Sequence, residues 1–341
     1  MSDSNGYASN ALPLVLKISS GKIHHFVIGL VALVVFACIW AVVIRLENWT
    51  FANMPINLPA FFSVTIAYTI FIARVIVNGH LRDFEKIKEL TNMNDTEKIR
   101  TASELQSHGK LYLLTGIATV VGLFHAWLGN GVLYRLVTGI GKYTYFEIWM
   151  TFLIILIWVV ITQACTVFVR NLKLFAAIIR KTEINLLHTE ELTVFLLTGI
   201  RSTLAFAGTY ALFPLIGISS FRDMFFNPAI LIFIPLILAM ILIPLMPLRK
   251  KIKEAKQKEL QLINQAIDGD RSSLQHSLIA DSATGLNIID LINYKKIISK
   301  TSEIPFNVPT AFRLLLYIII PLLTWVAASL VDKIVVAILQ A

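Results

Sequence analysis

The chain has 341 residues, 56% of them hydrophobic and 15% charged, with a formal net charge of +9. Soluble domains carry about 25% charged residues, so this composition, with a mean hydropathy of +0.73, points into a bilayer. Two cysteines exclude a disulfide-dense secreted scaffold, and the apolar content excludes a disordered or collagen-like chain.

In chain order, residues 1–24 read as a polar tail. The first apolar stretch, His25 to Ile44, is long enough to span and is expected to stay as a signal anchor. A spanning helix needs about 20 mostly apolar residues, because unpaired backbone groups cannot be left in hydrocarbon. Seven windows qualify: 25–45, 56–78, 110–129, 148–169, 197–218, 228–248 and 311–332. The expected fold is all-α, a polytopic integral membrane protein with about seven transmembrane helices. The third and fifth windows are the weakest, each holding Gly, Thr and one ionisable group, His125 or Arg201. Spans one to six occupy 25–248, with helical loops at 79–109 and 170–196. An extension at 249–310 follows, and 311–341 holds span seven and the C-terminus. Cys38 and Cys165 fall inside spans one and four and read as small buried hydrophobes.

Alternate assignment of the segments puts 22 of the 30 Lys and Arg on the side of the N-terminus. The positive-inside rule therefore places the N-terminus in the cytoplasm and the C-terminus outside, in the cell (inner) membrane. The same asymmetry accounts for the net charge, so no nucleic-acid partner is required. Anionic lipid at the cytoplasmic face is expected instead.

The cytoplasmic pieces are too short for an appended enzyme domain, since isolated cores below roughly 70 to 80 residues rarely stand alone. They read as amphipathic helices. Ile252, Ala255, Leu260, Ile263, Ala266 and Ile267 repeat at helical spacing, as a continuation of span six that Gly269 ends. A second helix over GLNIIDLINYKKIISK sets Leu286, Ile289, Ile292 and Lys296 on successive turns. LRDFEKIKEL is again amphipathic, and Leu186 and Leu187 between Glu183 and Glu190 suggest a helix at the interface. Such helices cap the bundle, join subunits of a homo-oligomer, or bind a cytoplasmic protein partner.

Ionisable groups at bilayer depth are the usual functional clue. No Asp or Glu lies near the middle of any window, which lowers the case for carboxylate-coupled carriers. Arg74, Arg201 and Arg313 stand near the cytoplasmic ends of spans two, five and seven. They either snorkel to lipid phosphates or form a basic mouth. His125 lies beside Ala118, Gly122 and Ala126, a small-residue series that another helix can approach, and reads as a helix-contact histidine. The remaining histidines, His80 among them, fall on or near the cytoplasmic side. The chain shows no bis-histidine pair for haem, no zinc-ligand spacing, no P-loop, no nucleophile elbow and no dinucleotide fingerprint. An enzyme is therefore not expected, and neither a metal nor a cofactor.

Interior prolines remove helix hydrogen bonds, so Pro214 in span five and Pro235 and Pro244 in span six are hinge candidates. In span seven Arg313, Tyr317, Pro321, Thr324, Ala328 and Asp332 share one face, the most polar of any span. In a multimer that face can line a central pore, with Asp332 as an outer ring and Thr324 at mid-depth. No residue motif identifies a family. The layout of seven spans, cytoplasmic N-terminus and long cytoplasmic helices resembles the insect chemoreceptor channels in topology alone, which adds slightly to a channel reading. The expectation is an oligomeric channel or passive transporter for ions or small solutes. The alternative is a non-transporting sensor or scaffold whose cytoplasmic helices bind a partner.

Overall fold

The computed structural model describes 25–50, 53–104 without 89 and 92, 109–130, 143–216, 228–280 and 286–305, with scattered positions within 135–139 and 312–330. Its helices are α1 (His25–Leu46), α2 (Asn57–Ile87), α3 (Asp95–Glu104), α4 (Gly109–Asn130), α5 (Tyr145–Lys181), α6 (Thr193–Ala211), α7 (Pro228–Ile267) and α8 (Ile288–Lys300). Short 3-10 turns lie at Thr189–Leu192, Phe213–Ile216 and Arg271–His276. Among the described residues there is no strand, only one antiparallel bridge between Thr91 and Thr182.

Four stretches are long and apolar enough to cross a membrane: Phe26–Leu46, Asn57–Ile87, Tyr145–Lys181 and Thr189–Ile216. Tyr112–Leu128 is apolar but shorter. The described residues are thus all-helical, with four helices of the length and composition of a membrane protein, and the expected seven are not reached among them. Two helices outrun their apolar windows. In α2 the helix continues from 78 to Ile87 because Phe84 and Ile87 stay buried on its inner face. In α5 it continues from 169 to Lys181 with Leu172, Phe175, Ile178 and Ile179 inside. The start of α5 is fixed by a capping box, in which Thr144 Oγ1 accepts from the Glu147 amide while Glu147 accepts from the Thr144 amide at 2.9 Å.

Side-chain contacts set the packing. α4 lies antiparallel against α5 along Ala118, Gly122 and Ala126, where a Cβ at Gly122 would stand 2.9 Å from Ile155 Cα. α6 meets α7 at Gly199, whose added Cβ would lie 2.8 Å from the Met240 carbonyl and 3.1 Å from Pro244 Cγ. The Tyr68 hydroxyl of α2 donates to the Leu204 carbonyl beside Gly208 on α6. Three apolar clusters follow one another along the bundle, from Phe36, Phe61 and Leu153, through Ile76, Phe168 and Phe206, to Phe175, Phe195, Ile252 and Leu291.

α7 is one helix, charged beyond Leu248, and it ends before Gly269, whose φ of +114° suits glycine. Lysines on α7 hold the neighbouring helix ends. Lys251 Nζ donates to the carbonyls of Arg180, at 2.7 Å, and Thr182. Lys256 Nζ donates to those of Ser299 and Thr301, at 2.7 and 2.9 Å. These ammonium groups satisfy the orphan carbonyls at the C-termini of α5 and α8.

Several expectations need correction. Residues 183–188 form no helix: α5 stops where Thr182 enters the bridge and the Lys251 contacts, so the chain turns there with Leu186 buried and Leu187 exposed. α8 buries Leu291, Tyr294 and Ile298 and leaves Ile289 and Ile292 outside, because the docking face is set by the α7 surface it meets. Cys38 lies on the exposed face of α1. Pro214 does not kink α6; it sits in the 3-10 turn after the helix has ended at Ala211.

The glycine contacts give a test. A Cβ at Gly208 would stand 1.8 Å from Tyr68 Oη, so Gly208→Ala displaces that ring and breaks its hydrogen bond. Gly199→Ala instead pushes against backbone, which cannot swing aside. Each should cost about 1 to 3 kcal/mol. A lowered thermal midpoint in detergent is the readout, and Gly116→Ala, where a Cβ meets nothing within 4 Å, should leave it unchanged.

Candidate functional site

The densest buried polar cluster forms where α2, α5 and α6 meet. His80, 1% exposed, makes its ring contacts to both neighbouring helices. Nε2–H donates to the Thr198 carbonyl at 3.2 Å, with Ser202 Oγ 3.5 Å away, which leaves Nδ1 to accept from Asn171 Nδ2 at 3.2 Å. Those partners fix the neutral Nε2–H tautomer. Phe175 packs edge-on against the imidazole, with ring centroids 5.6 Å apart. One turn along α2, Asp83 is bound by Arg201 Nη1 of α6, and the same nitrogen donates to the Gly79 carbonyl at 3.0 Å.

Further along the bundle, Gln163 of α5 donates from Nε2 to Thr115 Oγ1 of α4 at 2.7 Å. Among the described residues, the buried polar atoms with no hydrogen-bond partner include Thr65 Oγ1, Gln163 Oε1, Asn171 Oδ1 and the Nε and Nη1 of Arg74, besides the indole nitrogens of Trp40 and Trp149. Each is a group whose burial is costly unless paired.

A second polar node lies outside the apolar stretches, between α7 and α8. Glu259, 5% exposed, accepts from Ser277 Oγ, from the Leu278 amide at 3.1 Å and from the Tyr294 hydroxyl at 2.9 Å. Burial first, and then the hydrogen bond to the Glu259 carboxylate, push the Tyr294 phenol well above its usual range. This node locks the helical hairpin and offers no open position to a ligand.

The residues singled out in the sequence are distributed unevenly around these nodes. Arg201 is held by Asp83, and Arg74 is 7% exposed. Pro244 is buried at the α6–α7 contact, and Pro235 is exposed. His125 Nδ1 accepts from Trp158 Nε1 of α5 at 2.9 Å. Thr324 is helical and half-buried, whereas Arg313, Tyr317, Pro321 and Asp332 lie outside the described residues. Among the described residues no group of three His, Cys, Asp or Glu is placed to hold a metal ion.

Sequence reasoning missed His80, Asp83, Asn171 and Glu259. A signal was present for the first two: the i, i+3 spacing of His80 and Asp83 puts both on one face of an unbroken helix. Comparison with family models, with curated proteins and with solved structures returns no match for this chain.

Two outcomes test these nodes. Asp83 is 3% exposed and the Arg201 side chain 35%, so the two halves of the pair are unequal. Arg201→Met leaves a buried carboxylate unpaired and should cost about 3 to 5 kcal/mol. Asp83→Asn, whose partner still reaches water, should cost about 1.5 to 3 kcal/mol. Equal losses in thermal unfolding would contradict the asymmetry. At the second node the folded protein holds the Tyr294 proton more tightly than the unfolded chain does. Its contribution is therefore full below about pH 10 and lost as pH rises through the raised folded value. Tyr294→Phe should flatten that alkaline loss of stability.

Proposed function

We propose that this chain is a multi-pass membrane protein of about seven spans that passes ions or small solutes, without coupling to a membrane carboxylate. The supporting observation is the set of buried, unpartnered polar atoms on α2 and α5: Thr65 Oγ1, Gln163 Oε1 and Asn171 Oδ1. At bilayer depth such groups are tolerated where they line a water-filled route, whereas a static bundle packs with leucine in their place. From Gln163 to Asn171 they cover about 12 Å of helix axis at 1.5 Å per residue. The route runs past them to the His80 cluster, which stands at the cytoplasmic end in the orientation given by the positive-inside rule. The prolines of α7, packed at Pro244 on Gly199, form the flexible part. A second route lies along the span-seven face of Arg313, Tyr317, Pro321, Thr324 and Asp332, at the centre of a homo-oligomer in the cell membrane.

A non-transporting scaffold is the other reading. The exposure of Ile288, Ile289, Ile292 and Ile297 on α8 favours it, because these offer an apolar surface to a cytoplasmic partner.

Flux of potassium, chloride and glycerol from proteoliposomes decides between them. The wild type should leak at least one of these, and Gln163→Leu with Asn171→Leu should cut that rate at least tenfold. If only Thr324→Leu or Asp332→Leu does so, the route belongs to span seven. Vesicles that stay tight to all of them overturn the transport reading, and retention of a partner through α8 then supports the scaffold.

A further inference from the structure

We propose that Arg74 holds an oxyanion, a phosphate or carboxylate group supplied from outside the chain, within the helical bundle. The guanidinium cannot shed its charge, and 7% exposure leaves it little water. Its Nε and Nη1 are shut off from solvent and make no hydrogen bond. A buried cation in that state requires a counter-charge.

Among the described residues none stands against it. No Asp or Glu occurs in 25–46, 57–82, 109–130, 148–182, 193–222 or 228–253. Among the described residues Asp83 is the buried carboxylate on α2, and it is engaged by Arg201, while Glu259 is taken up by Ser277, Leu278 and Tyr294 at the far end of α7. Asp83 also lies nine positions along α2, roughly 13 Å up the axis at 1.5 Å per residue, beyond the reach of the Arg74 side chain. Phe71, one turn before Arg74, packs edge-on against Phe26 in the first turn of α1, with centroids 6.2 Å apart. α1 therefore flanks α2 close to Arg74, and 25–46 brings no carboxylate there. A planar guanidinium with free N–H groups matches the paired oxygens of phosphate or carboxylate.

The inference needs α2 to cross the membrane but not that the protein conducts, and it is read by equilibrium binding without flux. Full-length protein in phosphatidylcholine nanodiscs is titrated with sodium phosphate at fixed ionic strength, for the wild type, Arg74→Gln and Arg74→Lys. The wild type should bind, Arg74→Gln at least tenfold more weakly, and Arg74→Lys in between, since it keeps the charge without the fork. In phosphatidylglycerol nanodiscs, native mass spectrometry reports a retained lipid. A phosphatidylglycerol kept by the wild type and lost in Arg74→Gln, with phosphate binding suppressed, identifies a lipid headgroup as the source. Phosphate binding undiminished in those discs identifies a free anion. Should Arg74→Gln not fold, the Arg74→Lys comparison carries the test. Wild type and variant alike in both membranes, whether both bind or neither does, overturns the proposal.

Discussion

A carboxylate cut off from water needs a cation or several hydrogen-bond donors to keep its charge, and α2 and α6 are arranged around one that takes a cation. Asp83 takes Arg201 across the boundary between α2 and α6. That pairing fixes the register of α6, because the arginine stem has to pass over α2 at the single position where nothing stands in its way. A Cβ on Gly79 would meet Arg201 Cδ at 2.9 Å. Once Arg201 is seated, Thr198 and Ser202 fall against His80, and His80 reaches back to Asn171. Three helices are thereby tied by polar contacts with strict geometry. This matters where lipid gives apolar side chains no reason to prefer one another.

The two halves of the apolar column answer to different solvents. Around Leu153 and Ile66, packing density and small residues bring helices together, and the exposed faces of α1 and α4 carry Val34, Val42, Phe124 and Leu128 as lipid-facing groups do. Around Ile252, Ile263 and Leu291 the outer face of α7 is charged, with Lys250, Lys253, Glu254 and Lys258 exposed, and burying the inner side chains is worth roughly 1.5 to 3 kcal/mol each against water. Continuity between the two at Phe175 and Phe195 means the extension is packed into the bundle rather than hung from it.

The four long apolar helices were legible in the sequence because a crossing segment needs a long apolar run, a signal that survives without any knowledge of neighbours. Their ends were less so. Hydropathy falls after 78 and 169, yet Phe84, Ile87, Phe175 and Ile179 keep one face apolar and carry α2 and α5 onward. That placed His80 among loop residues when it lies inside a helix. The Asp83–Arg201 pair joins positions 118 apart, which no local spacing announces. Glu259 was hidden differently, since a charge on an apolar stripe reads as its edge until Tyr294 and Ser277 are seen to close over it. On α8 both candidate stripes are rich in isoleucine, so periodicity alone could not choose between them.

The continuity of α7 has a mechanical side. From Pro244, wedged against Gly199, to its end at Ile267 the helix is unbroken and runs about 35 Å at 1.5 Å per residue. It acts as a lever arm: a tilt of about 5° at that fulcrum sweeps its tip through about 3 Å. Lys251 grips the end of α5 and Lys256 the end of α8 along the same arm. Any such tilt is therefore geared to both helices, and a small change in the packed bundle becomes a displacement of the whole hairpin.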